Sequence, residues 1–183
     1  AGACGCAGSG IGGVVARGEV GYTGPGSCVL VVMHAVDRGI GATINRWNDH
    51  SDAMSQRDSG WIQLYAETNQ EAADLHVQAF LIAEELSLPV MVCMDGFILT
   101  HAYEQVDVPE QDQVDAFLPP FVPRQVLDPN EPVSIGSMVG PEAFTEVRYL
   151  AHARQMQALD RIPEGPADST PAFGPRTGGR VRR

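Results

Sequence analysis

Three short stretches hold most of the residues with chemical reach: Asp37-Arg38-Gly39, then Asn45-Arg46-Trp47-Asn48-Asp49-His50-Ser51-Asp52, then Gln56-Arg57-Asp58-Ser59-Gly60-Trp61. Together they set three arginines, four aspartates and a histidine between two apolar runs. Charge of that density is costly beside a core unless it is paired or meets a ligand. The planar guanidinium of Arg38 suits a bidentate grip on a carboxylate. Its plainer role is an ion pair with Asp37, Glu67 or Asp95, and chemistry alone weighs the two evenly. Asp49, His50 and Asp52 are metal-ligand types, but neighbours along an extended loop rarely reach one ion together. No metal is therefore expected of them. Asp52 is expected to cap a short helix over residues 53–57, with Asp49 and His50 holding the loop near a site.

The elements that must position these groups follow from the apolar pattern. Val29-Leu30-Val31-Val32-Met33-His34-Ala35-Val36 is a continuous apolar run, the mark of a strand covered on both faces. Trp61-Ile62-Gln63-Leu64-Tyr65-Ala66 reads as a second strand. Pro89-Val90-Met91-Val92-Cys93-Met94 reads as a third, with Pro89 at its start, where a missing N–H does least harm. Between them Thr68 and Glu71 form a capping-box pair. Ala72, Leu75, Ala79, Ile82 or Ala83, and Leu86 then share one helical face, with Glu71, Asp74, Gln78 and Glu85 opposite. Pro89 closes the helix. Strand, helix and strand of this length make a βαβ unit. Ligands of open parallel sheets bind beyond the carboxyl ends of the strands, and Arg38, Glu67 and Asp95 fall there. His101, past the third strand, is a further site candidate. His34, His76 and His152 read as core or surface histidines, and Cys93 as a small core hydrophobe.

The fold class is thus α/β, a partial parallel sheet with flanking helices. Residues 1–28 hold half of the 20 glycines and form an atypical leader. Residues 29–118 are the α/β domain, with a short acidic helix expected from Glu110 to Phe117. Residues 119–163 open with Pro119, Pro120, Pro123, Pro129 and Pro132 as a stiff linker, then carry a helix to Arg161. Residues 164–183 read as a disordered tail. Gly8-Ser9-Gly10-Ile11-Gly12-Gly13 matches a dinucleotide fingerprint, with Asp37 at a suitable distance. Its context is wrong: the residues before it are too few and too glycine-rich for a strand. A helix after it would have to contain Gly18, Gly21, Gly24 and Pro25.

A net charge of −11 argues against nucleic acid, which demands a basic face. All 12 basic residues are arginine, so lysine chemistry is excluded. No apolar run is long enough for a membrane span, and no secretory signal is recognisable. The four cysteines fit no metal or cluster spacing, and a reduced, cytoplasmic setting is expected.

The stretch from Asp37 to Met54 resembles part of the α subunit of 2-oxoacid:ferredoxin oxidoreductases, most closely the pyruvate type. Residues 56–67, Asn69-Gln70-Glu71 and residues 89–97 continue the resemblance in register. It runs from about Val31 to Pro163, taking in Leu118-Pro119-Pro120 and Leu127-Asp128-Pro129. The resemblance implies a thiamine-diphosphate pyrimidine-binding domain within an enzyme that decarboxylates pyruvate oxidatively with coenzyme A. The products would be acetyl-CoA, carbon dioxide and reduced ferredoxin. It implies β, γ and δ-type partner subunits, with Mg²⁺ and the cofactor pyrophosphate held mainly by a partner and [4Fe–4S] clusters also in partners. The family arginine that grips the substrate carboxylate falls on Arg38. Asp49, His50, Asp52, Arg57, Glu67, Asp95 and His101 then stand as site-proximal candidates. Residues 1–28 match neither the glutamate nor the threonine motif expected ahead of Val29. The chain therefore reads as an interior piece with foreign ends and no turnover by itself. The contrasting reading is a non-catalytic α/β domain whose arginine loop only docks another protein.

Overall fold

The computed structural model describes Cys4–Gly8 and residues 30–173, apart from 42, 46, 124, 125, 127 and 135–137; side chains are described for residues 30–161. Four parallel strands form one sheet: β1 (Cys4–Gly8), β2 (Val31–Asp37), β3 (Ile62–Tyr65) and β4 (Val90–Asp95), in the order β1-β2-β4-β3. The central strand β4 is buried along its whole length, as its unbroken apolar run requires.

Helix α2 (Asn69–Leu86) joins β3 to β4 and covers one face of the sheet. Thr68 Oγ1 accepts from Glu71 N–H at 3.1 Å. The reciprocal half of the capping box is displaced by one residue: the Glu71 carboxylate accepts from Glu67 N–H at 2.7 Å. Ala72, Leu75, Ala79, Ile82, Ala83 and Leu86 are all buried, and they join Val32, Leu64, Val90 and Val92 in one core. Fully burying an aliphatic side chain of this kind stabilises by about 1.5–3 kcal/mol. The helix stops at Leu86, with Ser87 at φ 53° and then Leu88 and Pro89 fully buried ahead of β4.

The other face is thinner. The chain leaves β2, crosses through α1 (Ser51–Met54) and a 3₁₀ turn (Arg57–Ser59), and returns as β3. Ala53 of α1 packs with Ala35, Met91 and Cys93, flanked by Met33, Trp61 and Tyr65. Gly60, at φ 92°, makes the left-handed turn into β3. After β4 come α3 (Gln111–Phe117) and α4 (Phe144–Phe173). Helix α4 packs on α2, brings Ala158 into the core and sets Arg161 Nε 2.5 Å from Glu85 Oε2.

Several sequence expectations change. Cys4–Gly8 is a strand despite its glycines, because parallel pairing with β2 supplies backbone hydrogen bonds that need no side chain. Gly10 and Gly13 of the fingerprint lie outside the described residues. Asp52 does not precede its helix but sits inside it and is buried. Asp74 and Gln78, expected on the solvent face of α2, are buried, and Gln70 links Asp74 to Asp107 in the segment after β4. Helix α4 runs beyond Arg161 to Phe173. Pro163, Pro166 and Pro171 each lack a backbone donor, yet their fixed φ is compatible with a helix, so composition marked an end too early.

Candidate active site

Strands β2, β3 and β4 end side by side, and Asp37 and Asp95 are register partners at the last rung. Gly96 makes this closure possible. Its N–H donates to the Asp37 carbonyl at 2.7 Å, and a Cβ there would stand 2.5 Å from that same oxygen. Beyond the strand ends lies a cavity of about 550 Å³ lined by Asn48, His50, Met54, Tyr65, Ala66, Glu67, Asp95, Ile98 and Leu99. Trp47 and Phe97 meet across the strand ends at a centroid distance of 4.2 Å, and Phe97 stacks on His101 at 4.8 Å. These rings tie the loop after β2 to the segment after β4.

A buried acid cluster lies behind the cavity wall. Asp37 is 1% exposed and its Oδ2 lies 2.5 Å from His50 Nδ1. Burial pushes the Asp37 carboxyl up, and the adjacent Asp52 carboxylate adds to this against the opposing pull of His50, to about 7. Asp52 accepts from Arg38 N–H at 2.9 Å and from Ala53 N–H at 2.8 Å. The His50 ring stands edge-on to Tyr65 at 5.2 Å. Tyr65 donates to Gln63 Oε1 at 2.9 Å, and Gln63 donates in turn to the Ala53 carbonyl at 2.7 Å, which ties β3 to α1. Burial raises both the Tyr65 phenol and the Cys93 thiol, so both stay protonated near neutrality.

The site candidates separate clearly against this geometry. His50, Glu67 and Asp95 line the cavity. The Asp95 carboxylate, however, accepts from the N–H groups of Phe97, Ile98 and Leu99 and thereby shapes the turn after β4. Asp49 accepts from Ser51 N–H at 2.8 Å, a loop-holding role. Arg57 is exposed, donates to the Met54 carbonyl and faces Asp58 at 3.9 Å, away from the cavity. His101 is exposed and engaged with Phe97 and Thr100. Arg38 follows Asp37 directly and is half-buried. Its guanidinium forms no ion pair among the described residues, so Asp37, Glu67 and Asp95 do not take it up. Arg38 is not itself among the residues lining the cavity.

Sequence reading missed Asp37 as more than an ion-pair partner. The available signal was an acid closing a buried strand thirteen residues before a histidine. Nothing in the spacing shows that the loop folds back to join them.

A family model described as pyruvate flavodoxin/ferredoxin oxidoreductase, thiamine diphosphate-binding, matches residues 1–164. The chain belongs to this family. The match takes in residues 1–28. The chain is 43% identical over 171 residues to pyruvate synthase subunit PorA of Methanosarcina barkeri, covering 92% of this chain and 42% of the relative. It is 43% identical over 159 residues to the PorA subunit of Pyrococcus abyssi, covering 85% and 40%. Ketoisovalerate oxidoreductase subunit VorA of Pyrococcus horikoshii is 41% identical over 125 residues, covering 68% and 32%. The chain thus spans about two fifths of the length of the PorA relatives it matches. Among the described residues no helix is long and apolar enough to cross a membrane.

Proposed function

We propose that this chain is the pyrimidine-binding part of the α subunit of a thiamine-diphosphate-dependent 2-oxoacid:ferredoxin oxidoreductase, with pyruvate as the substrate. The reaction would be oxidative decarboxylation with coenzyme A to acetyl-CoA, carbon dioxide and reduced ferredoxin. The observation that carries the reading is a cavity at the strand ends of a chain that belongs to this family. The setting would be the cytoplasm, in a complex with β, γ and δ-type subunits.

The residues present suit the cofactor's organic half. Met54, Tyr65, Ala66, Ile98 and Leu99 give the cavity apolar walls for a flat heterocycle, and His50 and Glu67 give it polar edges. Among the described residues no three His, Cys, Asp or Glu side chains gather to hold an ion. As the family resemblance implies, Mg²⁺, the pyrophosphate and the [4Fe–4S] clusters are assigned to partner subunits. When bound, thiamine diphosphate supplies the nucleophilic carbon and the electron sink.

Arg38 grips the carboxylate of the 2-oxoacid. Its half-burial strengthens that charge-assisted contact. The Asp52 carboxylate fixes the Arg38 backbone, so the guanidinium swings from a set point. The aromatic contacts of Trp47 and Phe97 help keep water from the strand ends.

Titrating the assembled complex with pyruvate, for wild type and Arg38→Ala, tests this. Loss of one charge-assisted pair predicts a fall in pyruvate affinity of about 10–100-fold with assembly intact. Unchanged affinity would remove Arg38 from the substrate. Loss of assembly with no effect on pyruvate would favour a docking role.

A further inference from the structure

We propose that His50 is the residue that moves protons to and from substrate in the strand-end cavity, oriented and reloaded by the buried Asp37 carboxyl behind it. This deepens the reading of the cavity as a 2-oxoacid site and rests on it. The ring has two distinct edges. Nδ1 lies 2.5 Å from a carboxyl oxygen that is 1% exposed, whereas the imidazole itself keeps 29% exposure and lines the cavity. With Nδ1 held at the buried carboxyl, the edge bearing Nε2 is left to the cavity, where it has no partner among the described residues.

The surroundings decide what that edge can do. From the end of β2 comes Asp37, from the loop beside the ring Asp49, from α1 Asp52, from β3 Tyr65 with Glu67 just past it, and from β4 Cys93 and Asp95. Asp95 is held by three backbone N–H groups, and Tyr65 and Cys93 keep their protons. Asp52 is held by two more backbone donors. Asp37 is the one carboxyl of the group that touches the imidazole. Burial and Asp52 raise the Asp37 carboxyl toward neutral pH, and in the proposed resting arrangement it donates across the short contact to Nδ1 while the ring hydrogen sits on Nε2.

The step balances. As nucleophilic attack opens the ketone, its oxygen takes the π electron pair and the proton from Nε2. Nδ1 takes the Asp37 proton, leaving a carboxylate beside a neutral ring of the opposite tautomer. When the C=O bond re-forms, the hydroxyl proton returns to Nε2 and Nδ1 returns its own to Asp37. No net proton is consumed, and bulk water is not required.

The test uses the assembled oxidoreductase with its partner subunits. Positioned acid–base groups contribute about 10²–10⁴-fold, so His50→Gln is expected to lower kcat by that factor with the KM for pyruvate little changed. In wild type, log kcat/KM should fall as pH rises through about 7, and that limb should vanish in both His50→Gln and Asp37→Asn. Infrared difference spectra supply a readout independent of turnover: a protonated-carboxyl band present below pH 7 and gone above it. The band needs no variant to fold, and its absence from Asp37→Asn would assign it. A His50→Gln complex with wild-type rate and an unchanged pH limb overturns the proposal. A wild-type complex that neither binds nor turns over a 2-oxoacid overturns instead the functional reading beneath it.

Discussion

The two faces of the sheet hold their elements by different physics. On the α2 face, Leu75, Ile82, Leu86, Leu88 and Val92 interlock along a helix of 18 residues, and the contacts are apolar and non-directional. On the α1 face, a helix of four residues is held by Asp52, Gln63, Tyr65 and the Asp37–His50 pair, each through directed hydrogen bonds. The first face supplies stability. The second holds ionisable groups at defined angles beside a cavity, at the cost of a buried acid cluster. A scaffold face of the first kind lets the site face tolerate the second.

That contrast can be broken from either side. Leu88→Ala removes a side chain that is 1% exposed and should cost about 2–5 kcal/mol, read from urea unfolding, with little effect on substrate contacts beyond the loss of folded protein. Asp52→Ala leaves the Arg38 and Ala53 N–H groups without their acceptor and should cost about 1–3 kcal/mol at pH 5. Its effect on pyruvate affinity should exceed that of Leu88→Ala, because it frees the Arg38 backbone.

Asp37 sharpens the comparison through pH. Its folded value of about 7 lies above the ordinary carboxylate value, so its contribution is fully present below about pH 4. Above that the unfolded chain releases a proton that the folded chain keeps, and stability declines, by up to about 1.4 kcal/mol per pH unit, until the folded group ionises near 7. Asp37→Asn should flatten this slope. A slope of the opposite sign would mean that the carboxyl is ionised by pairing with His50.

The legible part of the molecule is the apolar part. The runs of β2, β3 and β4 and the face of α2 announce themselves by period and by β-branched content, and their burial follows. The short acidic helix expected from Glu110 to Phe117 forms as α3, and there the structure adds a capping box between Glu110 and Gln113. β1 was hidden because an edge strand is specified by its neighbour's backbone rather than by its own glycines. Asp74 and Gln78 were misplaced because the polar face of a helix says nothing about which later segments pack over it. Near the cavity, sequence placed Arg38, Glu67 and Asp95 at strand ends and His50 in the loop between β2 and β3. Their division into cavity group, turn-former and free cation could not be read there, because it depends on how residues 38–61 fold back over β4. Closure at Gly96 and the pairing of Asp37 with His50 are three-dimensional facts with no period in the chain.

The most direct measurement is a structure of the assembled oxidoreductase with pyruvate bound. In it the pyruvate carboxylate should make two contacts with the Arg38 guanidinium, with the ketone oxygen facing His50 Nε2 within hydrogen-bond reach. Pyruvate held by other cations, with Arg38 paired to a partner-subunit acid and the cavity beside His50 empty, would contradict that binding mode.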